Sequence, residues 1–273
     1  MKRFALGSAE AGGPALLIVA GPCVVESADL CLRVAAHLKI ACAARGLPFV
    51  FKASYAKANR SSARSFAGLP VAESLAILDR VRREVGVPVL TDVHAEAEVE
   101  AAAEVAEVLQ IPAFLSRQTG LLQAAARSGR AVNVKKGQFL APEDMAQVVE
   151  KLTAAGGTRI LLTERGTTFG YHDLVVDLRG LVTMREMGWP VLYDATHSLQ
   201  RPGGEVSGGD RRFAVPLMRA AVACGIDGLF FETHPEPALA LSDAATQLPL
   251  AEVENFLDEA RRVRDAVSER AHA

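Results

Sequence analysis

Side chains suited to metal binding or acid–base chemistry follow nearly every aliphatic run in this 273-residue sequence. Eight short runs predict buried strands, and seven of them end in a charged group or in one that can bind a metal. One such residue carries little weight, because loops after strands are polar as a rule. Seven of them in one chain indicate a single site to which most of the strands contribute.

Four of these groups are cationic: Lys52, Lys57, Lys135 and Arg165. Cations converge on one site only where an anion accompanies them, because an unpaired buried charge is strongly destabilising. A guanidinium group binds phosphate or carboxylate through two parallel hydrogen bonds. The set therefore predicts a pocket for small molecules that carry phosphate and carboxylate groups.

Four other residues form a candidate metal site: Cys23, His197, Glu232 and Asp243. One thiolate, one imidazole and two carboxylates suit a divalent transition metal such as Zn, Fe or Mn better than magnesium or calcium. Taken singly, Cys23 is more often a core thiol, and His197 is structural about as often as functional. No close-pair motif such as C-x-x-C is present, so the prediction depends on the fold bringing the four residues together.

Helical patterns separate the eight runs, and this alternation predicts a single-domain (β/α)₈ barrel over residues 1–273. Residues 1–14 are expected to form a short N-terminal extension, and residues from about 250 to 273 a C-terminal helix. An open doubly wound sheet is the alternative. The predicted strands are Leu16–Ala20, Phe49–Ala53, Val89–Asp92, Val108–Ile111, Ala131–Lys135, Ile160–Thr163, Val191–Asp194 and Gly228–Glu232. The predicted helices include Ala28–Arg45, Val71–Glu84, Ala95–Ala106, Pro142–Ala155 and Phe213–Cys224.

Active sites of such barrels lie at the C-terminal ends of the strands. In a closed barrel the eighth strand pairs with the first, so His197, Glu232 and Cys23 should be neighbours at one mouth. Asp243, in the loop after the eighth strand, can fold over the same point. Barrel closure thus makes the metal site plausible where sequence spacing alone does not.

Composition excludes several classes of protein. The net charge of −2 and the isoelectric point near 6.3 argue against a general nucleic-acid or membrane-surface role. No run approaches 18 apolar residues, so no membrane span is expected. Four cysteines in a long chain without an export signal are typical of free thiols in a reducing compartment, and we expect a cytoplasmic location.

The motifs resemble the 3-deoxy-D-manno-octulosonate 8-phosphate synthase family, in particular its metal-dependent branch. The resemblance runs from Ile18 to about Leu250. Cys23 stands where the metal-independent branch has Asn, so it assigns the branch. The matching segments are Ala-Gly-Pro-Cys-Val-Val-Glu-Ser at 20–27, Phe-Lys-Ala-Ser at 51–54, Lys-Ala-Asn-Arg-Ser-Ser at 57–62, Gln-Ile-Pro-Ala-Phe-Leu-Ser-Arg-Gln-Thr at 110–119, Asn-Val-Lys-Lys-Gly-Gln-Phe at 133–139, Thr-Glu-Arg-Gly-Thr-Thr-Phe-Gly-Tyr at 163–171, Asp-Ala-Thr-His-Ser at 194–198 and Glu-Thr-His-Pro-Glu-Pro at 232–237.

The resemblance implies a homotetrameric transferase of lipopolysaccharide sugar synthesis that condenses phosphoenolpyruvate with D-arabinose 5-phosphate and releases phosphate. It maps the metal ligands onto Cys23, His197, Glu232 and Asp243. It places phosphoenolpyruvate at Ser54, Lys57, Gln110, Lys135, Gln138 and Arg165. It places arabinose 5-phosphate at Asn59, Arg60 and Ser61, the last two reaching a neighbouring subunit's site. The candidate catalytic groups are Lys52, Asp92, Lys135, His197 and Asp243.

Three other functions stay open. The sister reaction uses erythrose 4-phosphate, and those enzymes (3-deoxy-7-phosphoheptulonate synthases) typically show Lys-Pro-Arg-Thr-Ser where this chain has Lys57–Ser61. A Schiff-base aldolase would use Lys135 or Lys52 as its nucleophile, but a strongly basic pocket should leave such a lysine poorly placed to be neutral. A non-catalytic phosphosugar-binding protein should have lost some of the strand-end residues, and none is missing.

Overall fold

The computed structural model describes residues 1–57, 66–201 and 208–270. Eight parallel strands pair in sequence order, and the last pairs with the first, so that the sheet closes. The predicted (β/α)₈ barrel is thereby confirmed, and the open doubly wound sheet is excluded. The strands are β1 (Leu17–Gly21), β2 (Phe49–Lys52), β3 (Val89–Asp92), β4 (Val108–Ile111), β5 (Ala131–Lys135), β6 (Ile160–Glu164), β7 (Val191–Asp194) and β8 (Gly228–His234).

One α-helix follows each strand and packs outside the barrel. A π-helical stretch, Val81–Val85, continues the second helix. Ser27 begins the first helix, because its side chain accepts a hydrogen bond from the amide of Leu30. The fourth and sixth helices lie in segments for which the sequence analysis gave no range. The helices are α1 (Ala28–Ala43), α2 (Val71–Arg80), α3 (Val99–Val105), α4 (Thr119–Arg127), α5 (Met145–Ala154), α6 (Leu178–Glu186), α7 (Ala214–Ala223) and α8 (Val253–Arg270).

The strands separate two apolar cores. Successive side chains on a strand point to opposite faces, so Leu229 and Phe231 of β8 pack against the helices, whereas Phe230 points into the barrel. The interior core takes residues from every strand. Its members on the strands are Leu17, Val19, Val50, Leu90, Val108, Ala131, Leu161, Leu192 and Phe230.

A two-stranded antiparallel hairpin, Phe4–Leu6 with Ala9–Ala11, covers the N-terminal end of the barrel. Leu6, Ala9 and Ala11 belong to the interior core. The predicted N-terminal extension is therefore the floor of the barrel, which its short polar-apolar pattern did not reveal.

The alternation that buries the interior core also determines the layer above it. On each strand the residue two positions after the last interior-core residue points to the same inward face. This residue is polar on seven of the eight strands, and on β1 it is Gly21. These seven polar residues are Lys52, Asp92, Gln110, Asn133, Thr163, Asp194 and Glu232. No helix among the described residues is long and apolar enough to cross a membrane.

Candidate active site and metal centre

A cavity of about 410 Å³ opens at the C-terminal ends of the strands, which is the size range of small-ligand sites. Nearly all predicted site residues in the described ranges line it. Asp243 lies behind Cys23 and Lys57, outside the lining but in contact with both. Asn59, Arg60 and Ser61 lie outside the described residues. The predicted residues in the lining are Cys23, Lys52, Ser54, Lys57, Asp92, Gln110, Lys135, Gln138, Arg165, His197 and Glu232.

Barrel closure brings three of the four predicted metal ligands into one group, and the fourth, His197, lies beside the two carboxylates of that group. The ligand atoms of Cys23, Glu232 and Asp243 all lie within 4.8 Å of one another. His197 Nε2 lies 3.5 Å from Glu232 Oε1 and 3.7 Å from Asp243 Oδ2. The register explains the proximity, because Glu232 on β8 sits directly opposite Gly21 on β1.

Two backbone features position this cluster. A side chain at Gly21 would come within 2.0 Å of the Lys52 carbonyl oxygen, so only glycine allows β1 to approach β2 this closely. Asp243 has φ of +49°, the left-handed region that Asp tolerates better than most residues. Its carbonyl accepts from the amides of Thr246 and Gln247, which holds the turn. The carboxylate of Asp243 is thereby directed at Cys23.

Two lysines neutralise the acidic cluster. Lys57 Nζ lies 2.5 Å from Asp243 Oδ2 and 3.2 Å from Cys23 Sγ, while Lys52 Nζ lies 2.5 Å from Glu232 Oε1. Burial alone raises the pKa of a carboxyl group, yet Lys57 and His197 hold the pKa of Asp243 well below its usual range. Burial also raises the pKa of the Cys23 thiol, with a further contribution from Glu232. Cys23 without a bound cation is therefore an inert thiol rather than a nucleophile.

The cluster fits a divalent transition metal. With bonds of about 2.1 Å, the ligand atoms of a tetrahedral site lie about 3.4 Å apart. The distances from His197 Nε2 to the two carboxylates, and the 3.3 Å from Cys23 Sγ to Asp243 Oδ2, match that spacing. Glu232 Oε2 is buried and has no hydrogen-bond partner among the described residues. A buried carboxylate oxygen without a donor is the kind of atom that a cation satisfies.

Asp194, to which the sequence analysis gave no role, orients the imidazole and a lysine. Its Oδ2 lies 2.8 Å from His197 Nδ1 and also accepts from Lys135 Nζ. Its Oδ1 accepts from the backbone amides of Thr196 and His197. Although burial alone would raise the pKa of Asp194, His197 and Lys135 hold it well below its ordinary value. An ionised carboxylate behind a metal-binding histidine is a common supporting arrangement.

Arg165 is a buried cation that forms no ion pair with any carboxylate in the described ranges. Its Nη2 donates to Gln200 Oε1 at 2.8 Å, whereas Nη1 is buried and has no hydrogen-bond partner within the described part of the chain. Burial lowers the pKa of its guanidinium. Because Arg165 lines the cavity beside Lys135, the two cations make that part of the cavity a binding site for an anion.

The opposite wall carries a hydrogen-bonded polar row. Ser54 Oγ and Gln110 Nε2 both donate to the carboxylate of Asp92, the latter at 2.7 Å. Phe230 lies beneath the cavity, with Lys135 Nζ 3.2 Å from its ring centroid. The aromatic face stabilises that ammonium. Sequence reasoning did not identify Phe230, although its inward position on β8 follows from its spacing to Glu232.

Comparison with known proteins identifies the family. The model of the DAHP synthetase I family matches residues 7–269. A 2-dehydro-3-deoxyphosphooctonate aldolase of Trichlorobacter lovleyi is 53% identical over 259 residues, 94% of this chain and 95% of that protein. Proteins of the same name from Acidithiobacillus ferrooxidans (56%, covering 88% of this chain and 86% of theirs) and Thioalkalivibrio sulfidiphilus (53%, covering 92% and 91%) are similarly close.

That name and 3-deoxy-D-manno-octulosonate 8-phosphate synthase denote the same enzyme, so the resemblance to that family is confirmed, whereas the metal-dependent branch stays a prediction. The coverage of both chains leaves no large segment unmatched. The chain therefore belongs to the DAHP synthetase I family and groups there with the 2-dehydro-3-deoxyphosphooctonate aldolases.

Proposed function

We propose that the chain condenses phosphoenolpyruvate with D-arabinose 5-phosphate and water, giving 3-deoxy-D-manno-octulosonate 8-phosphate and inorganic phosphate. The observation that carries this proposal is the buried Arg165 guanidinium, which faces a cavity beside Lys135 with one nitrogen unpartnered among the described residues. A buried cation of this kind needs an anionic ligand. The name shared by the close relatives says which reaction such a ligand enters.

Phosphoenolpyruvate carries a phosphate and a carboxylate close together, and the cationic side of the cavity matches both. Arg165 and Lys135 would bind one anionic group, with Gln138 beside them. Lys57 serves Asp243 and Cys23 in this structure, and a metal at these ligands would compete with its ammonium for Asp243 Oδ2. Lys57 also lines the cavity, so a displaced ammonium can bind the second anionic group there. Ser54 and Gln110 complete the set expected for phosphoenolpyruvate.

In the reaction the enol carbon of phosphoenolpyruvate attacks the sugar aldehyde, and water adds to the carbon that bears the phosphate. The resulting hemiketal phosphate loses inorganic phosphate. Cations fixed in the wall stabilise the anionic groups and hold the substrates in attack geometry without rearranging. Asp92 is the candidate to accept a proton, because it lines the cavity as an ionised carboxylate: burial raises its pKa, but Lys52 and His94 outweigh that effect and lower it. Lys52 is the candidate to donate one.

We further propose that Cys23, His197, Glu232 and Asp243 hold a divalent transition metal such as Zn, Fe or Mn. When bound, the metal supplies a Lewis acid that can orient the aldehyde or activate the water. Two other residues support these ligands. Asp194 fixes the imidazole of His197, and Lys52 balances the charge of Glu232.

Arabinose 5-phosphate is assigned to Asn59, Arg60 and Ser61 by resemblance alone. The sister substrate, erythrose 4-phosphate, is one carbon shorter. The relatives that match over most of the chain are named 2-dehydro-3-deoxyphosphooctonate aldolases, and the eight-carbon acid in this name supports the longer sugar. The Asn59 position, where the sister enzymes have Arg, is the marker in the sequence itself.

The Schiff-base alternative needs a neutral lysine. Burial lowers the pKa of Lys135 even though the Asp194 carboxylate opposes that shift, so basic surroundings alone do not exclude a neutral amine there. The direct ion pair with Asp194 nevertheless keeps Lys135 engaged as a cation. Borohydride treatment in the presence of substrate separates the two chemistries, because only an imine is trapped as a stable adduct.

The test of the proposal is a paired assay of phosphate release from phosphoenolpyruvate with either sugar phosphate. We expect a higher kcat/KM with arabinose 5-phosphate than with erythrose 4-phosphate, and no borohydride-trapped adduct. Faster turnover with erythrose 4-phosphate would overturn the choice of substrate. Phosphate release that persists after complete metal removal would overturn the metal-dependent assignment.

Two further expectations complete the proposal. The family resemblance supports a homotetramer in which Arg60 and Ser61 reach a neighbouring subunit's site. Phosphorylated metabolites of lipopolysaccharide sugar synthesis are cytoplasmic, which supports a cytoplasmic location. Size-exclusion chromatography with light scattering tests the first expectation.

A further inference from the structure

Four inward side chains form a continuous hydrogen-bonded row across neighbouring strands β6, β5, β4 and β3. Thr163 Oγ1 lies 2.7 Å from Asn133 Oδ1, and Asn133 Nδ2 lies 2.8 Å from Gln110 Oε1. Gln110 Nε2 lies 2.7 Å from Asp92 Oδ1. We call Thr163, Asn133, Gln110 and Asp92 the amide row. All four side chains are buried, and Asn133 and Thr163 lie outside the cavity lining, so water does not substitute for a partner that either of these two loses.

The direction of every bond in the amide row follows from its last member. An ionised Asp92 can only accept, so Gln110 must present its nitrogen to it. The Gln110 oxygen then faces Asn133, which must present its nitrogen in turn. Asn133 Oδ1 is left facing Thr163, whose hydroxyl must donate. Each amide has one orientation that satisfies both of its neighbours, and the row therefore points its donors at Asp92.

We propose that Asn133 and Thr163 are positioning residues of the reaction, which act through Gln110 to keep Asp92 a hydrogen-bond acceptor at the edge of the cavity. Neither lines the cavity, whereas Gln110 and Asp92 both do. The register supports the route, because Asp92 lies opposite Gln110, and Gln110 opposite Asn133. The inference rests on the proposed function only in taking Asp92 as the group that manages a proton.

The variant that reverses the row is Asn133→Asp. In this variant a carboxylate oxygen replaces Asn133 Nδ2, so two acceptors, this oxygen and Gln110 Oε1, would face each other. The Gln110 amide must therefore rotate so that its nitrogen donates to the new carboxylate. The Gln110 oxygen then faces Asp92, which becomes easier to protonate. We expect the acidic limb of kcat/KM against pH to move up by about one pH unit or more, since replacing an attractive neighbour by a repulsive one shifts a carboxyl by that order.

The other groups that face Asp92 stay in place in this variant. They are Lys52 and Ser54 at the end of β2, Tyr55 next to Ser54, and His94 in the loop after β3. Burial raises the pKa of Tyr55, and the carboxylates of Glu98 and Asp92 raise it further. A merely structural role for Asn133 would lower activity equally at every pH. An unmoved acidic limb in Asn133→Asp would overturn the proposal.

A second measurement needs no activity. The melting temperature is compared for wild type, Asn133→Asp, Asp92→Asn and the double variant. The amide that Asp92→Asn introduces can donate to a turned Gln110, so Asn133→Asp should lower the melting temperature less in the Asp92→Asn background than in wild type. Because Gln110 lies between Asp92 and Asn133, the two positions can affect each other only through its amide. An equal decrease in melting temperature in the two backgrounds would therefore refute coupling through the row. This comparison of the four proteins tests the amide row even if the wild-type protein releases no phosphate in the activity assay.

If Asn133→Asp does not fold, Thr163→Val and Thr163→Ser replace it. Valine keeps the shape of threonine but leaves Asn133 Oδ1 without its donor, whereas serine restores the hydroxyl. We expect kcat to fall about tenfold in Thr163→Val, with recovery in Thr163→Ser. The KM for phosphoenolpyruvate should change less than kcat, because Thr163 does not reach the cavity. Equal kcat values for the two variants would count against the proposal.

Discussion

The Nδ1 atom of His197 lies 2.8 Å from Asp194 Oδ2, and this contact determines which ring nitrogen the imidazole turns towards Glu232 and Asp243. The ionised carboxylate accepts only, so Nδ1 is the donor in this contact and Nε2 is the nitrogen that faces Glu232 and Asp243, where it would bind a metal. The same carboxylate also binds Lys135. Asp194 thus connects the proposed metal centre with the anion-binding side of the cavity.

Replacing Asp194 by Asn should therefore weaken both functions. An amide at 194 permits the wrong imidazole tautomer, and we expect metal affinity to fall by about 10- to 100-fold. Competition with a chromogenic chelator measures this. Asp258→Asn is the matched control, since that carboxylate pairs with Arg45 on the outer surface. Equal metal affinity in Asp194→Asn and wild type would show that the contact does not orient His197.

Cys23 should determine metal content. The purified protein should contain about one divalent transition metal per chain, and Cys23→Ala should lose most of it, because the thiolate is the softest of the four ligands. Elemental analysis after dialysis measures the content. The control is Cys42→Ala, another buried thiol that packs in the helix-side core away from the cavity. Metal loss in both variants would indicate general destabilisation instead of loss of a ligand.

Arg165→Lys should impair phosphoenolpyruvate use. Lysine keeps the charge but loses the planar fork, and a hydrogen bond to a charged group contributes about 1.5–3 kcal/mol. We expect kcat/KM for phosphoenolpyruvate to fall roughly 10- to 100-fold, since about 1.4 kcal/mol corresponds to a factor of ten. Arg179→Lys, at a side chain that is 90% exposed, should leave kcat/KM unchanged. A wild-type value in Arg165→Lys would remove Arg165 from the binding site.

Asp92 should make stability depend on acidity. Its pKa is held below the ordinary value of about 3.9. Near and below that pH, Asp92 therefore binds a proton in the unfolded chain but stays ionised in the folded one. The contribution of Asp92 to stability is therefore present above that pH and lost as the pH falls. Urea unfolding at pH 7, 4 and 3 should show a smaller acid-dependent decrease in the free energy of unfolding for Asp92→Asn than for wild type. A wild-type decrease in the variant would mean that Asp92 titrates normally in the folded protein.

The sequence predicted the barrel and most of the cavity lining for one physical reason. Inward alternation and strand-end polarity are both properties of single strands, so Lys52, Lys135 and Glu232 could be placed without tertiary information. Relationships between strands could not be placed in that way. That Lys57 binds Asp243, or that Asp194 serves both His197 and Lys135, depends on lateral packing that spacing does not encode.

The hairpin at the floor and the inward Phe230 were missed for a different reason. Three-residue strands such as Phe4–Leu6 are too short for a periodic pattern, and their stability comes from covering the interior core. Phe230 is one of two adjacent phenylalanines on β8, and its spacing to Glu232 selects it as the inward one, but an apolar side chain within a strand carries no signal of a functional site.

Barrel closure has a consequence for how the protein is made. Cys23 and Asp243 are 220 residues apart, yet their side chains touch across the seam where β1 meets β8. A growing chain thus presents Cys23 first and lacks Asp243 until another 220 residues have left the ribosome. Any ion that the four residues hold would fasten the two ends of the barrel to each other, so that metal capture and completion of the fold become one event.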